Sequence, residues 1–236
     1  MPQTISSKNL LLSTSPLTVG VVSDAAVLER FCNEPPNVKE AACDLVELRL
    51  DLLEMPIKAI LDACDHLARP ILFTARHPAE GGKGPESDAE RAAMLEPFLD
   101  KAALIDLELR SVPGMAGLIS KARSRGVGVV GSFHDFQATP ADDVLAGARE
   151  FAETAGIDAV KLAVFLNSAG DLIRLMNQTI YKRRLPIATM GMGPLGRMSR
   201  VALAKIGSLL NYGFLGNSNA PGQWPAPRLK EILSQL

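Results

Sequence analysis

The sequence predicts an α/β protein whose eight parallel strands, each followed by a helix, close into a barrel, and three observations support this prediction. Eight short apolar runs rich in β-branched residues recur along the chain, with amphipathic stretches between them. Dividing the 236 residues by eight gives about 30 residues per unit, the length of a strand with its crossover helix. The chain shows no internal repeat or linker, so we expect one domain over residues 1–236, with residues 1–17 as a short N-terminal strand or arm. A doubly wound open sheet is the alternative, which eight regular units make less favourable.

The predicted strands follow one another at regular spacing. They cover residues 18–23, 45–50, 70–76, 103–109, 127–133, 159–164, 185–190 and 212–215. Helix starts lie in the gaps, because Ser23-Asp24 and Ser87-Asp88 open amphipathic stretches with side chains that commonly cap helices. Gly126 and Gly213 are expected where a helix ends and the chain turns back into a strand.

The overall charge and composition exclude several classes of partner. The 25 Lys plus Arg residues nearly balance the 26 Asp plus Glu residues, so no general positive field attracts nucleic acid or an anionic membrane. Apolar runs stay well below the roughly 18 residues that a membrane helix needs, and residues 1–16 lack the long apolar centre of a secretory signal. The three cysteines, Cys32, Cys43 and Cys64, form no C-x-x-C pair. These features predict a cytoplasmic protein with reduced thiols.

Ionisable side chains recur on one face of five neighbouring predicted strands, near the strand ends. Successive side chains of a strand point to opposite faces, so alternate positions share a face. The polar residues on this face are Glu47, Arg49 and Asp51 of the second strand, Thr74 and Arg76 of the third, Asp106 and Glu108 of the fourth, Ser132 and His134 of the fifth, and Lys161 of the sixth. Parallel strands are normally apolar on both faces, so these residues predict an active site at the C-terminal mouth of the barrel. Ion pairs near solvent, such as Glu47 with Arg49 or Arg76, are the alternative.

Lys161 and His134 are the candidate catalytic groups. Lys161 interrupts an apolar strand, where burial disfavours the ammonium ion and lowers its pKa, and a nearby Arg49 or Arg76 would lower that pKa further. A neutral amine attacks ketones, so Lys161 is a candidate Schiff-base nucleophile, with a snorkelling lysine as the alternative. His134 lies on the neighbouring strand and is the candidate general acid and base. No cysteine or second histidine is placed near His134, so the sequence predicts no metal site.

The glycine-rich segment GMGPLG at residues 191–196 matches G-x-G-x-x-G, but it does not predict a dinucleotide site. It falls in the seventh unit instead of the first, and residues 197–230 contain no Asp or Glu to hold a ribose. The loop leads into a helix start that carries Arg197, Ser199 and Arg200, a suitable cradle for a carboxylate or phosphate. Anion sites in barrels favour the loops after strands seven and eight, so we expect an anion to bind here.

Seven motifs stand in order along residues 18–224. They are Glu47-Leu48-Arg49, Thr74-Ala75-Arg76 followed by Glu80-Gly81-Gly82, Ile105-Asp106-Leu107-Glu108, Ser132-Phe133-His134-Asp135-Phe136, Lys161, Met190-Gly191-Met192 through Ser199-Arg200, and Ala220-Pro221-Gly222-Gln223. With these motifs the chain resembles the type I 3-dehydroquinate dehydratases of the shikimate pathway. The resemblance implies a (β/α)8, or TIM, barrel that works without a metal or organic cofactor. It also implies a homodimer that dehydrates 3-dehydroquinate to 3-dehydroshikimate through a lysine imine, in aromatic amino acid biosynthesis.

The resemblance further implies a role for each matched residue. Lys161 would form the imine with the C3 ketone, His134 would remove the C2 proton and protonate the departing C1 hydroxyl, and Glu80 would orient His134. Arg200 would bind the substrate carboxylate. The other implied substrate contacts are Glu47, Arg49 and Arg76 at the hydroxyl groups, Met190 and Met192 as walls of the site, Gln223 and Asn219 from the loop after the eighth strand, and Ser23 after the first.

Asn219 departs from the family pattern, which usually has serine before Ala-Pro-Gly-Gln. The larger amide can still hydrogen-bond, so the departure leaves the exact substrate open. Two other functions also stay open. One is a Schiff-base aldolase that acts on a sugar phosphate, with Arg197 and Arg200 at the phosphate, and the other is a non-catalytic paralogue that binds a quinate-like ligand. The seven motifs together favour the dehydratase.

Overall fold

The computed structural model describes residues 7–181, 184–218 and 220–236, and the eight predicted strands form one parallel sheet. The strands are β1 (Leu17–Val22), β2 (Leu45–Arg49), β3 (Ile71–Thr74), β4 (Leu104–Glu108), β5 (Gly128–Asp135), β6 (Ala159–Phe165), β7 (Ile187–Met192) and β8 (Leu210–Phe214). They are hydrogen-bonded in the order β7-β6-β5-β4-β3-β2-β1-β8. The ends of this order meet, since the Leu209 amide before β8 donates to the Ile187 carbonyl of β7 at 2.8 Å. The sheet is therefore a nearly closed barrel, and the predicted (β/α)8 fold is confirmed.

Helices fill the gaps between the strands. The α-helices of the described residues are α1 (Ser7–Leu11), α2 (Ala25–Asn33), α3 (Pro36–Ala42), α4 (Ile57–Cys64), α5 (Asp88–Leu95), α6 (Ala116–Ser124), α7 (Asp142–Thr154), α8 (Ala169–Ile180), α9 (Gly196–Lys205) and α10 (Ala226–Gln235). Two predicted helix starts are capped as expected. The Asp24 carboxylate accepts from the Val27 amide, and the Ser87 hydroxyl accepts from the Glu90 amide. Within the described residues, none of these helices has the length and apolar character needed to cross a membrane.

Apolar side chains form two layers, one between the sheet and the helices and one inside the barrel. Along β2, Val46 and Leu48 belong to the outer layer, whereas Leu45 belongs to the inner one. Each fully buried leucine or valine contributes about 1.5–3 kcal/mol to stability. The inner positions closer to the C-terminal end of β2 carry Glu47 and Arg49 instead. The barrel interior is therefore apolar at its N-terminal end and polar at its C-terminal end.

Two segments differ from the sequence-based expectation. Residues 7–11 of the predicted strand or arm form helix α1, whose Leu10 and Leu11 are buried in the inner apolar layer. Residues 1–6 of that arm lie outside the described residues. Gly213 lies within β8 and not at a helix end. A glycine is needed there because α10 packs directly against this position. A Cβ atom at Gly213 would lie 2.6 Å from the Cα atom of Ala226.

Candidate active site

A cavity that opens to solvent lies at the C-terminal ends of the strands, and its empty space, with the solvent at its mouth included, is about 520 Å³. Ten of the twelve predicted site residues line it, namely Glu47, Arg49, Arg76, Glu80, His134, Lys161, Met190, Met192, Arg200 and Gln223. Ser23 is half-buried directly after β1 and is not among the lining residues. Asn219 lies outside the described residues. The barrel thus brings together side chains that are up to 176 positions apart in the sequence.

Lys161 lies inside the barrel on β6 and is paired with Asp106 of β4. Its amine nitrogen, Nζ, donates a hydrogen bond of 2.9 Å to Oδ2 of Asp106, and only 4% of Lys161 is exposed. Burial has the largest effect on the pKa of Lys161 and lowers it, and the positive charge of Arg76 lowers it further, while Asp106 acts in the opposite direction. The net result is a lowered pKa, which increases the fraction of neutral amine. A neutral amine is the form that can attack a carbonyl carbon.

Arg76 connects three strands of the polar interior. Its Nη1 atom donates to Glu108 and to the Ser132 hydroxyl, both at 2.7 Å, and its Nη2 atom lies 2.9 Å from Oδ1 of Asp106. Ser132 in turn donates to Asp106 at 2.6 Å. Burial alone would raise the pKa of Asp106, but the charges of Arg76 and Lys161 hold it below its usual value. Asp106 is therefore a permanent carboxylate beside the Lys161 amine.

Glu47 and Arg49, neighbours on β2, each have a partner of their own. The Thr74 hydroxyl donates to Glu47 at 2.6 Å. Arg49 forms two hydrogen bonds with the Asp51 carboxylate, at 2.9 and 2.8 Å, and Asp51 also accepts from the Lys83 amide. The alternative pairing of Glu47 with Arg49 or Arg76 is therefore not formed as a direct ion pair. Both side chains line the cavity, where they can contact the hydroxyl groups of a ligand.

His134 on β5 is held by Glu80 through two contacts. The Glu80 Oε2 atom accepts from the His134 backbone amide at 3.0 Å and lies 2.9 Å from its ring atom Nδ1. Burial lowers the pKa of His134 well below its usual value, and Arg76 and Lys161 add to this effect. The imidazole is therefore neutral at pH 7. Because Glu80 accepts the Nδ1 hydrogen, the Nε2 atom keeps a free lone pair and can act as a base.

Glu80 reaches His134 because of a tight turn after β3. Residues Pro78–Glu80 form a short 3-10 helix that ends at Gly81, which has a φ of 79°. Gly82 packs so closely on the preceding strand that a Cβ atom there would lie 2.0 Å from the Arg76 carbonyl oxygen. The Glu80-Gly81-Gly82 motif therefore needs both glycines. Burial is the main cause that raises the pKa of Glu80 to about 7, and Arg76 opposes it.

Arg200 on α9 is a buried cation with no carboxylate partner in the described part of the chain. It is 2% exposed, its Nη1 atom donates to the Tyr212 carbonyl at 2.9 Å, and its Nε atom has no hydrogen-bond partner among residues 7–181, 184–218 and 220–236. Burial lowers its pKa to about 10. Leaving a guanidinium buried without a counter-charge costs free energy that a bound anion would recover. Arg200 lines the cavity, where its charge could stabilise a bound anion.

The other two residues of the predicted anion cradle do not line the cavity. Arg197 is exposed, and its guanidinium stacks on the Trp224 ring 5.1 Å away. Ser199 is buried and holds the glycine-rich loop together, since its hydroxyl accepts from the Gly191 amide and donates to the Gly196 carbonyl. The sequence-based prediction put all three residues in one anion site because they lie close together in the sequence. Side chains at nearby positions of a helix, however, point in different directions. Of the three, only Arg200 lines the cavity.

Residues 220–223, which follow β8, border the cavity and rest on the loop after β7. The Gly193 amide donates to the Pro221 carbonyl, and a Cβ atom at Gly222 would lie 2.6 Å from the Gly193 carbonyl oxygen. This close backbone contact positions Gln223, which is 4% exposed and lines the cavity. Met190 of β7 also lines it. The glycines of the two loops therefore allow the two backbones to pack closely beside the cavity.

The structure also assigns positions that sequence reasoning missed. Asp106 was recognised as an inward-facing residue, but its pairing with Lys161 was not expected. Phe136 and Tyr212 line the cavity, and the Phe136 ring stacks on the His134 imidazole with centroids 6.3 Å apart. Phe136 stands in the His134 motif, which was the available signal. Tyr212 lies in the eighth strand, which had the weakest strand pattern in the sequence. Its neighbours in space could not be predicted, because they come together only when the barrel closes. The described residues contain no group of three His, Cys, Asp or Glu side chains placed to hold a metal ion.

Comparisons with known proteins agree with this geometry. The family model for type I 3-dehydroquinase matches residues 24–236. The chain is 32% identical to the catabolic 3-dehydroquinate dehydratase of Acinetobacter baylyi, covering 97% of this chain and 89% of the relative. It is also 32% identical to the 3-dehydroquinate dehydratase of Methanosarcina barkeri, covering 90% of this chain and 93% of the relative.

Solved structures give the same result. The 3-dehydroquinate dehydratase of Geobacillus kaustophilus superposes with a TM-score of 0.85 at 29% identity, covering 100% of this chain and 96% of that one. The type I enzyme of Clostridium difficile gives a TM-score of 0.84 at 25% identity, covering 100% of this chain and 98% of that one. Family and fold together support a hydro-lyase activity in the shikimate pathway. The chain belongs to the type I 3-dehydroquinase family.

Proposed function

We propose that this protein dehydrates 3-dehydroquinate to 3-dehydroshikimate through an imine on Lys161, with His134 as general acid and base. One observation carries the proposal. A buried amine of lowered pKa, a neutral imidazole oriented by Glu80 and the Arg200 guanidinium, which has no carboxylate partner among the described residues, line the same cavity. An amine, a base and an anion anchor are the groups that elimination from a keto acid through an imine requires.

In the first step the neutral Lys161 amine adds to the C3 ketone of the substrate. The carbinolamine that results loses water, which leaves a protonated C=N bond to Nζ. Asp106 stays ionised beside this nitrogen, at 2.9 Å from Nζ before reaction, and so stabilises the positive charge. The protonated imine is an electron sink that acidifies the adjacent C2–H bond. This supplies the activation that the later steps need.

In the second step His134 takes a proton from C2 through its free Nε2 atom. The C–H electron pair moves toward the imine nitrogen and forms an enamine. When those electrons return they expel the C1 hydroxyl, which leaves as water after protonation by the imidazolium of His134. Hydrolysis of the imine then releases 3-dehydroshikimate and restores the Lys161 amine. The Glu80 contacts at 3.0 and 2.9 Å keep the imidazole in one orientation throughout.

The remaining cavity residues bind and enclose the substrate. Arg200 binds the carboxylate, for which its uncompensated charge supplies the attraction. Glu47 and Arg49 bind the hydroxyl groups of the substrate, and Gln223 contacts it from the segment after β8. Arg76 is already occupied by Asp106 and Glu108, so we assign it mainly to tuning the charges of its neighbours. Met190 and Met192 form apolar walls, and the contacts of Ser23 and Asn219 with substrate stay predictions.

The phosphate-binding alternative has less support. A sugar-phosphate aldolase with this nucleophile would need cations around the phosphate, and the exposed Arg197 stacks on Trp224 instead of lining the cavity. A single buried guanidinium is suited to a carboxylate. The non-catalytic alternative is tested by turnover itself, because a paralogue that only binds ligand would show none.

The proposal is tested by trapping the imine. Borohydride added with 3-dehydroquinate should give a stable mass adduct, and peptide mapping should locate it on Lys161. In Lys161→Ala the adduct should disappear. In His134→Ala some adduct should persist while most turnover is lost, since imine formation and proton abstraction use different groups. Lys58→Ala is a suitable control because Lys58 is exposed on α4. Folded protein without any adduct would refute the imine reaction.

We further propose that the protein is cytoplasmic and forms a homodimer. The three cysteines are free thiols, and burial raises the pKa of both Cys43 and Cys64 to about 12, which keeps them unreactive.

Helix α8 leaves Ile173 and Ile180 exposed on the same side, two turns apart. We assign this side of α8 to the contact between copies. Light scattering after gel filtration should report a dimer, and Ile173→Asp should shift it toward monomer. A monomer at all concentrations would refute the assignment.

A further inference from the structure

Tyr212 is a cavity residue to which the reaction described above gives no role. It lies at the centre of β8, is 3% exposed and belongs to the inner apolar layer together with Val21 and Met190. Its backbone carbonyl accepts a hydrogen bond of 2.9 Å from Arg200, which ties β8 to α9. Its side chain therefore has a fixed place beside the proposed reaction centre.

The ring of Tyr212 lies against the amine of Lys161. The distance from Nζ to the ring centroid is 4.1 Å, well inside the roughly 6 Å over which an aromatic face attracts a cation. The same nitrogen donates to Asp106. The Lys161 nitrogen therefore has two electron-rich neighbours, a carboxylate and an aromatic face.

The hydroxyl group of Tyr212 is not the part that acts on the amine. It is buried and has no hydrogen-bond partner in the described part of the chain. Burial, Asp106 and Glu47 raise the pKa of Tyr212 well above its usual value, so the phenol stays neutral. A neutral hydroxyl without a partner holds nothing in place. The ring and the hydroxyl can therefore be tested separately.

We propose that Tyr212 is a positioning residue whose ring face holds the Lys161 nitrogen at the cavity and stabilises positive charge on it, in the ammonium ion and in the protonated imine. The inference rests on the imine reaction proposed above. An aromatic face suits this role because it attracts a cation but accepts no proton. It can therefore stabilise the protonated imine without competing with His134 for the C2 proton.

The test compares Tyr212→Phe, which keeps the ring, with Tyr212→Leu, which removes it. The readout is the pH dependence of the borohydride-trapped adduct on Lys161, together with kcat. Tyr212→Phe should keep the wild-type midpoint. In Tyr212→Leu the midpoint should fall by about one pH unit, because loss of the aromatic face favours the neutral amine. Its kcat should fall roughly tenfold, because the protonated imine is less stable.

Tyr181→Leu is the matched control, since Tyr181 is the other tyrosine of the chain and is 60% exposed at the end of α8. It should leave the midpoint and kcat unchanged. If Tyr212→Leu does not fold, Tyr212→Phe is compared with protein that carries trifluorophenylalanine at position 212. Fluorination preserves the shape of the ring and weakens its negative face, so the midpoint should again fall.

Two outcomes are distinguishable. If the unsubstituted protein forms the adduct but the midpoint is the same with leucine, phenylalanine or trifluorophenylalanine at position 212, the role of Tyr212 is refuted and the imine reaction stands. If the unsubstituted protein forms no adduct, the imine reaction is refuted, and the role of Tyr212 is refuted with it.

Discussion

The two sides of the cavity differ in whether their buried charged side chains have partners of opposite charge. On the side formed by β3 to β6, Arg76, Asp106, Glu108 and Lys161 are buried but joined to one another by contacts of 2.7 to 2.9 Å. On the side formed by β7, β8 and α9, Arg200 is equally buried, donates to the Tyr212 carbonyl and has no carboxylate partner among the described residues. One side has its charges compensated within the protein, and the other leaves a charge for the ligand to compensate.

This difference separates two tasks that an active site must perform. Compensated charges hold their neighbours in defined protonation states, as Arg76 does for both Asp106 and Lys161. An uncompensated charge attracts a ligand of the opposite sign and destabilises the empty protein. Substitutions on the first side should therefore affect chemistry and folding. Substitutions at Arg200 should affect mainly binding.

The largest expected effect is the loss of turnover in Lys161→Ala. Because Asp106 keeps Arg76 and Ser132 as partners, the variant should fold, while kcat should fall by at least about 10⁴-fold for lack of a nucleophile. The measurement is steady-state turnover of 3-dehydroquinate, with melting temperature as a check on folding. Lys101→Ala, which removes an exposed partner of Asp65, should have normal kcat. Substantial turnover in Lys161→Ala would contradict the assignment.

The next effect is on stability and comes from Glu108→Gln. Glu108 is 1% exposed, accepts from Arg76 and from the His77 amide, and lies 3.6 Å from Arg91. Removing its charge leaves two buried arginines short of a counter-charge, so the free energy of unfolding should fall by about 3–5 kcal/mol. Urea denaturation measures this.

Glu96→Gln is the matched control for Glu108→Gln, because Glu96 forms an ion pair with Lys121 that is about half exposed on both sides. Its effect should stay within roughly 0.5 kcal/mol. Equal effects of the two substitutions would mean that the buried network does not stabilise the barrel.

A pH-dependent effect follows from Glu80. Its pKa is raised from 4.5 to about 7 in the folded protein, so between these values the folded state holds a proton that the unfolded chain has lost. Stability from this group is therefore lost as pH rises through the window, by at most about 3 kcal/mol. Glu80→Gln lacks this loss, so its stability relative to wild type should increase from pH 5 to pH 8.

Thermal melts of both proteins across this range measure the Glu80 effect. Burial, Arg76 and Lys161 lower the pKa of His134 in both proteins, and this contribution, which acts in the opposite direction, cancels in the difference between them. Glu86→Gln alters an exposed glutamate of the same loop and should run parallel to wild type. If the melting temperatures of Glu80→Gln and wild type also change with pH in parallel, Glu80 is already ionised at pH 5 in the folded protein.

The compensated side could be predicted from sequence far better than the Arg200 side. Alternation along each strand identified Arg76, Asp106 and Lys161 as inward-facing, because a period of two is a local property of the backbone. Which of them pair could not be predicted, since pairing depends on the stagger between strands. The alternative of an ion pair between Glu47 and Arg49 or Arg76 is not formed for this reason, since Glu47 accepts from Thr74 and Arg49 pairs with Asp51.

On the other side, the anion cradle was predicted from consecutive positions near a helix start. The directions in which those side chains point depend on how α9 packs on the barrel. Arg197 and Ser199 therefore lie elsewhere, while Arg200 lines the cavity. Tyr212 was missed because its contact with Lys161 joins β8 to β6, and nothing local to either strand indicates it.

The smallest expected effect is at Arg200, where a substitution should weaken substrate binding and increase stability. It is also the sharpest test of the difference between the two sides of the cavity. Arg200→Met should raise KM for 3-dehydroquinate roughly 10- to 100-fold with a smaller change in kcat, because a carboxylate anchor acts in the ground state and transition state alike. The same substitution removes a buried cation without a carboxylate partner, so the free energy of unfolding should rise by about 1 kcal/mol. Arg197→Met, three positions away and exposed, should change KM less than threefold. If Arg200→Met instead destabilised the protein as much as Glu108→Gln, the charge of Arg200 would be compensated in the empty protein, and the two sides of the cavity would not differ in kind.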